Sequence, residues 1–268
     1  MTLPRPKKMF GQNFLTDRNV LARIVSASGA GPADRVLEIG PGRGALTNLL
    51  AQAAGRVVAV EVDRELAALL RAEFFSLPKV EILEADVLEV DLRELLQGEG
   101  PPWKVVANLP YNISTPALFR LLEAREVLAD MTLMLQKEVG ARLAASPGTA
   151  EYGILSVLFG LHYDISLAFV VKPGAFFPRP KVDSAVIRFL PLQKPREEVG
   201  DEELFRRLVK AAFGQRRKTL WNCLKGAGLA PEEKLRGVLE ACGIDPGRRG
   251  ETLSIAEFAA LSRLLAEG

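Results

Sequence analysis

The chain has 268 residues, enough for one large domain or one domain with a small appendage, and 48% of them are hydrophobic, which is ample for a packed core. Its 35 Lys and Arg against 33 Asp and Glu leave a formal net charge of +2, too near neutrality to argue by itself for a polyanionic partner. A single histidine, His162, removes histidine triads and histidine-rich metal sites from consideration, so no metal centre is expected.

The N-terminal stretch "MTLPRPKKMFGQ" is basic but lacks the apolar run of a signal peptide. No segment reaches the roughly 20 apolar residues of a membrane helix, so a cytoplasmic location without a membrane partner is expected. From residue 35 short β-branched runs alternate with amphipathic patterns, which implies an α/β fold with a parallel sheet covered on both faces. In such sheets ligands bind beyond the carboxyl ends of the strands, so each strand end is read for chemistry.

The first strand, "RVLEI" (Arg35 to Ile39), runs into Gly40-Pro41-Gly42-Arg43-Gly44 and a helix, "ALTNLLAQ". Glycines there let the backbone approach a nucleotide-like ligand closely, although a plain tight turn reads the same way. The second strand, "RVVAVEV" (Arg56 to Val62), carries Glu61 at its end, where a carboxylate can accept from ribose hydroxyls; the helix "RELAALLRAEF" follows. The third, "VEILEAD" (Val80 to Asp86), ends on Asp86, where a carboxylate can receive an exocyclic amine. Either acid could equally be a solvated strand-end charge. Glycines plus an acid also suit a nicotinamide dehydrogenase, but the G-x-G-x-x-G fingerprint is not met, since position 45 is Ala, a residue only some variants accept.

The fourth strand, "WKVVAN" (Trp103 to Asn108), decides between them. It ends in Asn108, Leu109, Pro110 and Tyr111, which offer an amide oxygen, backbone carbonyls fixed by the proline, and an aromatic face. An adenine N6 amine is a poor nucleophile while its lone pair is delocalised. Acceptors aimed at its hydrogens favour pyramidal geometry and spread the developing positive charge, and a stacked ring holds the base in line with a methyl donor. No titrating base is required. The plainer reading is a proline-terminated strand with a core tyrosine.

A fifth strand, "MTLMLQ" (Met131 to Gln136), is followed by two more, "DISLAFVV" and "SAVIRFL", which flank the loop "KPGAFFPRPKVD" (Lys172 to Asp183); His162 reads as structural, at a strand start. "PLQKPREEVGDEE" (Pro191 to Glu203) has the composition of a linker, and the remainder is helical, with Ser254 and Glu257 forming a capping-box signature. A boundary near residue 191 therefore separates a domain of residues 1–191 from a helical one of 192–268. Cys223 and Cys242, without CxxC spacing, read as ordinary thiols of a reducing compartment. Between Leu204 and Ala230 lie Arg206, Arg207, Lys210, Arg216, Arg217, Lys218 and Lys225 and no acid. With Lys7, Lys8, Arg179 and Lys181 they suggest a phosphate-tracking surface rather than a merely solvated face.

The segments "EIGPGRG", "VEVD", "EADVLEVD" and "NLPYNIS" resemble the cofactor and amine motifs of class I S-adenosylmethionine-dependent methyltransferases acting on adenine N6. "GQNFLTD" (Gly11 to Asp17) and "FFPRPKVDSAV" (Phe176 to Val186) narrow the resemblance to the rRNA adenine dimethyltransferases, and within them to the bacterial KsgA/RsmA branch, over nearly the whole chain. That resemblance implies a Rossmann-like seven-stranded sheet whose last strand is antiparallel, with a small C-terminal helical domain. It implies S-adenosylmethionine as methyl donor, S-adenosylhomocysteine as product, and cofactor contacts from Gln12, Asn13, Leu15, Gly40, Gly42, Glu61, Asp86, Val87 and Asn108. Catalysis would fall to Asn108, Leu109, Pro110 and Tyr111, with Phe177 as a second base-stacking aromatic. The implied substrate is two adjacent adenosines in a hairpin near the 3′ end of small-subunit rRNA, free or in a pre-30S particle, and the implied state is a monomer. An RNA-binding assembly factor with incidental methylation, and an enzyme acting on large-subunit rRNA or on DNA, stay open as alternatives.

Overall fold

The computed structural model describes Pro4, Pro6, Lys7 and residues 10–267. The described chain opens with a two-residue strand, β1 (Phe14–Leu15), and a helix, α1 (Arg18–Ser28). The helix starts where Asp17 accepts the amides of Asn19 (2.9 Å) and Val20 (3.2 Å), a cap of the kind worth about 1 kcal/mol. It stops at Gly29, which takes the left-handed conformation (φ 56°).

Five strand–helix units follow: β2 (Arg35–Ile39) with α2 (Ala45–Ala53), β3 (Arg56–Glu61) with α3 (Arg64–Glu73), β4 (Val80–Glu84) with α4 (Leu92–Leu96), β5 (Trp103–Asn108) with α5 (Ser114–Glu123), and β6 (Leu128–Gln136) with α6 (Lys137–Leu143). After α7 (Ile154–Gly160) come β7 (Tyr163–Val171), β8 (Phe176–Phe177) and β9 (Ser184–Pro191), then the helices α8 (Glu202–Ala212), α9 (Leu220–Lys225), α10 (Glu232–Ala241) and α11 (Ile255–Ala266).

Seven strands form one sheet in the order β4-β3-β2-β5-β6-β9-β7. The β2–β6 set is parallel, and β9 runs antiparallel to β6, from Met131↔Phe189 to Gln136↔Ser184, so the expected α/β sheet with its reversed last strand is present. Strand order reverses between β2 and β5, which opens a crevice at their carboxyl ends. On one face Val36, Val57, Val106, Met134 and Val186 share a core with Leu21 and Ile24 of α1 and Leu46 and Leu50 of α2. The alternating residues Leu37, Val58, Val105, Leu133 and Ile187 are buried as well, so the other face is covered too. At about 1.5–3 kcal/mol per fully buried aliphatic side chain, this two-faced burial is the main force holding the strand ends in place.

Outside the sheet, β1 pairs antiparallel with β8, Phe14 opposite Phe177 and Leu15 opposite Phe176, and Thr16 N donates to the Ala175 carbonyl at 2.8 Å.

The chain divides into two compact units: one runs through Gly140 and includes Ser166–Leu190, the other joins Ala141–Ile165 to the residues from Pro191 onward. The reading by composition leaves 141–165 in the first domain. In the structure Tyr152 instead meets Phe213 edge-on at 6.0 Å, and Phe213 in turn meets Phe258 at 5.9 Å, an aromatic cluster that composition does not reveal. Nor is the stretch after Pro191 a loose linker: Val199 is buried, its carbonyl accepts Ser262 Oγ at 2.9 Å, and Arg196 Nε donates to the Gly160 carbonyl at 2.7 Å. The capping box of α11 is present in both directions, Glu257 N to Ser254 Oγ (3.2 Å) and Ser254 N to Glu257 Oε2 (2.7 Å). His162 precedes β7, and neither Cys223, which is buried, nor Cys242, half-buried, is in a disulfide. Among the described residues no helix is long and apolar enough to cross a membrane.

Candidate active site

The turn after β2 is shaped by what its glycines must avoid. Gly42 has φ 60°, and a Cβ there would lie 2.9 Å from Phe14 Cδ1; Gly40 has φ 65°, and its Cβ would lie 3.2 Å from the Pro110 ring. The bare backbone therefore fits between the N-terminal strand and the end of β5. Glu61, buried at the end of β3, holds the turn: its Oε2 accepts Gly42 N at 3.0 Å and its Oε1 accepts Asp63 N at 2.9 Å. Burial raises the Glu61 carboxyl above its ordinary value, and the two amides offset part of that rise. Each carboxylate oxygen keeps a second lone pair for a further donor.

A cover is laid over this turn by the N-terminal segment. Asp63, the N-cap of α3, accepts Lys7 Nζ at 2.9 Å and Gln12 Nε2 at 3.2 Å, while Gln12 Oε1 accepts Lys7 N at 2.7 Å. Burial alone would raise the Asp63 carboxyl, but these bonds and the Glu65 amide outweigh it and leave it below the usual aspartate range. Arg43 stacks on Phe14 (4.5 Å to the ring centre) and donates to the Pro4 carbonyl at 2.7 Å.

At the end of β5, Asn108 Nδ2 donates to the Asn13 carbonyl at 3.2 Å. A carbonyl can only accept, so the amide nitrogen must face Asn13 and the amide oxygen must face away from it. Leu109 N donates to Met134 O (3.1 Å), and Ile113 N closes a turn on the Pro110 carbonyl (3.2 Å). Tyr111 is half-buried, with its hydroxyl 2.5 Å from Ser184 Oγ.

These elements surround one cavity of about 270 Å³ at the crevice where the strand order reverses. Every residue expected to contact cofactor lines it: Gln12, Asn13, Leu15, Gly40, Gly42, Glu61, Asp86, Val87 and Asn108, and so do Leu109, Pro110 and Tyr111. Phe177 does not; it sits in β8 opposite Phe14, 56% exposed. Asp86 is half-buried and spends Oδ1 on Leu88 N at 2.9 Å.

A family model described as "Ribosomal RNA adenine dimethylase" matches residues 4–267. The chain belongs to the ribosomal RNA adenine dimethylase family. Proteins named ribosomal RNA small subunit methyltransferase A from Geobacter sulfurreducens and Geobacter metallireducens are each 61% identical to it, over 98% and 97% of this chain and 97% and 96% of their own lengths. Among solved structures, a dimethyladenosine transferase from Plasmodium falciparum matches with TM-score 0.78 at 25% identity, covering 92% of this chain and 95% of that one. The 23S rRNA methyltransferase ErmE matches with TM-score 0.68 at 28% identity, covering 95% and 100%.

In this member of the dimethylase family one charged cavity residue, Glu38, is not marked by any strand-end position in the sequence. Glu38 lies within β2 yet lines the cavity; it is 2% exposed, its Oε2 has no partner among the described residues, and burial, reinforced by the charge of Glu61, pushes its carboxyl up to about 8. An acid inside an otherwise apolar strand was the available signal. Lys7 is the converse case. Expected on a phosphate-tracking surface, it is instead committed to Asp63 and to Glu65 (3.2 Å), and the bond to Asp63 holds its ammonium above the ordinary lysine range.

Lys8 lies outside the described residues, whereas Arg179 and Lys181 are exposed. In the helical unit Arg207, Lys210, Arg216, Arg217, Lys218 and Lys225 are exposed and Arg206 is half-buried. Lys225 pairs with Glu232 at 2.9 Å, and Arg216 donates to the Ala150 carbonyl at 2.8 Å; Arg207, Arg217 and Lys218 have no ion pair among the described residues.

Proposed function

We propose that the chain transfers methyl groups from S-adenosylmethionine to N6 of two adjacent adenosines in a 3′-terminal hairpin of small-subunit rRNA. The observation that carries this reading is the bond from Asn108 Nδ2 to Asn13 O, which leaves the Asn108 amide oxygen as a fixed acceptor at the cavity wall.

The cavity suits a nucleoside sulfonium by its donor set and its cradle. At Gly42 a Cβ would strike Phe14 and at Gly40 it would crowd the Pro110 ring, Glu61 retains lone pairs for ribose hydroxyls, and Asp86 retains Oδ2 for an exocyclic amine. When bound, the sulfonium supplies an electrophilic methyl. The chain's own residues do the rest by positioning. Asn108 Oδ1 and a backbone carbonyl of the Asn108–Tyr111 turn accept from the adenine amine, so its lone pair leaves the ring plane, while the Tyr111 ring fixes the base in line. Phe177, exposed on β8, is proposed as the second stacking face. No side chain need take the proton, which passes to water once the amine has become cationic. Arg207, Arg217 and Lys218 supply phosphate contacts that add affinity without reading bases. A monomer acting in the cytoplasm completes the proposal.

Methyl incorporation is measured side by side into small ribosomal subunits lacking the modification, large subunits and duplex DNA. Label in the small subunit alone is expected; label confined to either of the others overturns the substrate assignment. The large subunit is included because of the likeness to ErmE.

A further inference from the structure

We infer that Ser184 is a positioning residue for the reaction, anchoring the Tyr111 ring through its hydroxyl. The inference rests on the proposed function, in which that ring stacks on the target base.

Stacking alone does not explain why this ring carries a hydroxyl. Phenylalanine would present the same face, and a phenol half-buried beside a cavity needs a partner. The partner is Ser184 Oγ at 2.5 Å, and Ser184 is wholly buried at the start of β9. It cannot wander. Its backbone stands opposite Gln136 at the last pairing of β9 with β6, and the preceding carbonyl, of Asp183, accepts Lys137 N at 3.0 Å. At the other end, the Tyr111 carbonyl accepts Ser114 Oγ at 3.1 Å in the first turn of α5. A tyrosine has two side-chain torsions, and holding its backbone at one end and its hydroxyl at the other fixes both. The plane against which a base would lie is thereby tied to the sheet instead of being left to rotamer exchange. Misplacement by an ångström at such a position is costly in rate. Burial raises the Tyr111 phenol further above its ordinary value, with the Ser184 bond offsetting part of the rise.

The test measures steady-state methylation of the small-subunit substrate by Ser184→Ala, Tyr111→Phe, their double variant and Tyr111→Ala. Ser184→Ala and Tyr111→Phe are each expected to lower kcat roughly five- to tenfold, the size of one hydrogen bond expressed in rate, with KM for S-adenosylmethionine unchanged. The double variant is expected to be no slower than either single one, because all three lack the same bond. Wild-type kcat in either single variant, or losses that multiply in the double, overturns the inference. Tyr111→Phe breaks the bond without touching β9, so a Ser184→Ala protein that fails to fold does not shield the inference. Tyr111→Ala separates the two levels: full turnover overturns the stacking reading itself, whereas lost turnover beside wild-type rates for Ser184→Ala and Tyr111→Phe overturns the anchor alone.

Discussion

Asn108 and Asn13 are 95 residues apart in sequence, yet the side-chain amide of one donates to the backbone carbonyl of the other at 3.2 Å. The orientation of the group proposed to grip the substrate amine is thus set by the N-terminal segment. Asn108→Asp keeps an acceptor but replaces the donor with a carboxylate facing a carbonyl. Asn108→Ala removes both. Each is expected to lower single-turnover methyl transfer by roughly 10²–10³, the range for deleting one preorganised hydrogen-bonding group, while RNA affinity in a filter-binding assay stays unchanged. Near-normal transfer by Asn108→Asp would show that the tether to Asn13 is dispensable.

Gly42 and Gly29 both have positive φ, but only at Gly42 would a Cβ strike a neighbour, Phe14 Cδ1 at 2.9 Å. Gly29→Ala therefore measures backbone strain alone, expected at about 1–2 kcal/mol in chemical denaturation. Gly42→Ala carries that strain plus displacement of β1, and calorimetric titration should find S-adenosylmethionine bound at least tenfold more weakly, with Gly29→Ala unaffected. Equal affinities in the two variants would remove the cradle from the account.

Glu38 yields a pH signature. Its carboxyl is raised in the folded chain to about 8, from an ordinary value near 4.5. Between those values the folded state holds a proton that the unfolded state has released, so the contribution is fully present below about pH 4.5 and is lost as pH rises through about 8. Glu38→Gln cannot titrate. Melting temperatures from pH 5 to 9 should show the variant gaining on the parent as pH rises; parallel curves would mean Glu38 is charged throughout.

Replacing Arg207, Arg217 and Lys218 with Gln should weaken RNA binding at low salt and flatten the plot of log affinity against log salt by about one unit of slope for each phosphate no longer neutralised. At saturating RNA the kcat should not change. An unaltered slope would return these residues to an ordinary solvated face.

How much of this was legible in the sequence depends on the range of the forces involved. The boundaries of β2 and β5 are read to the residue, because a buried parallel strand is a run of apolar residues closed by a glycine or proline. Glu61 and Asp86 stand out by position alone, at or just after the ends of their strands, and both line the cavity. The start of α1 is announced by Asp17 before a periodic apolar stretch. What no local pattern could reveal is pairing across the chain. Lys7 looks like a free cation until Asp63 is seen beside it, and Ser184 looks like any strand serine until Tyr111 is seen above it. Nor does any local pattern announce that Phe177, in a two-residue strand outside the seven-stranded sheet, is 56% exposed.

The short β1–β8 ribbon has a consequence for timing. Thr16 and the Ala175 carbonyl it donates to are separated by 159 residues, so the flap over the crevice has nothing to zip against while only the first half of the polypeptide has emerged during translation. The glycine turn and the central strands can assemble early, but the roof arrives last. A nascent chain is therefore expected to stay unable to retain its small-molecule ligand until the stretch containing Phe176 and Phe177 has cleared the exit tunnel of the ribosome translating it.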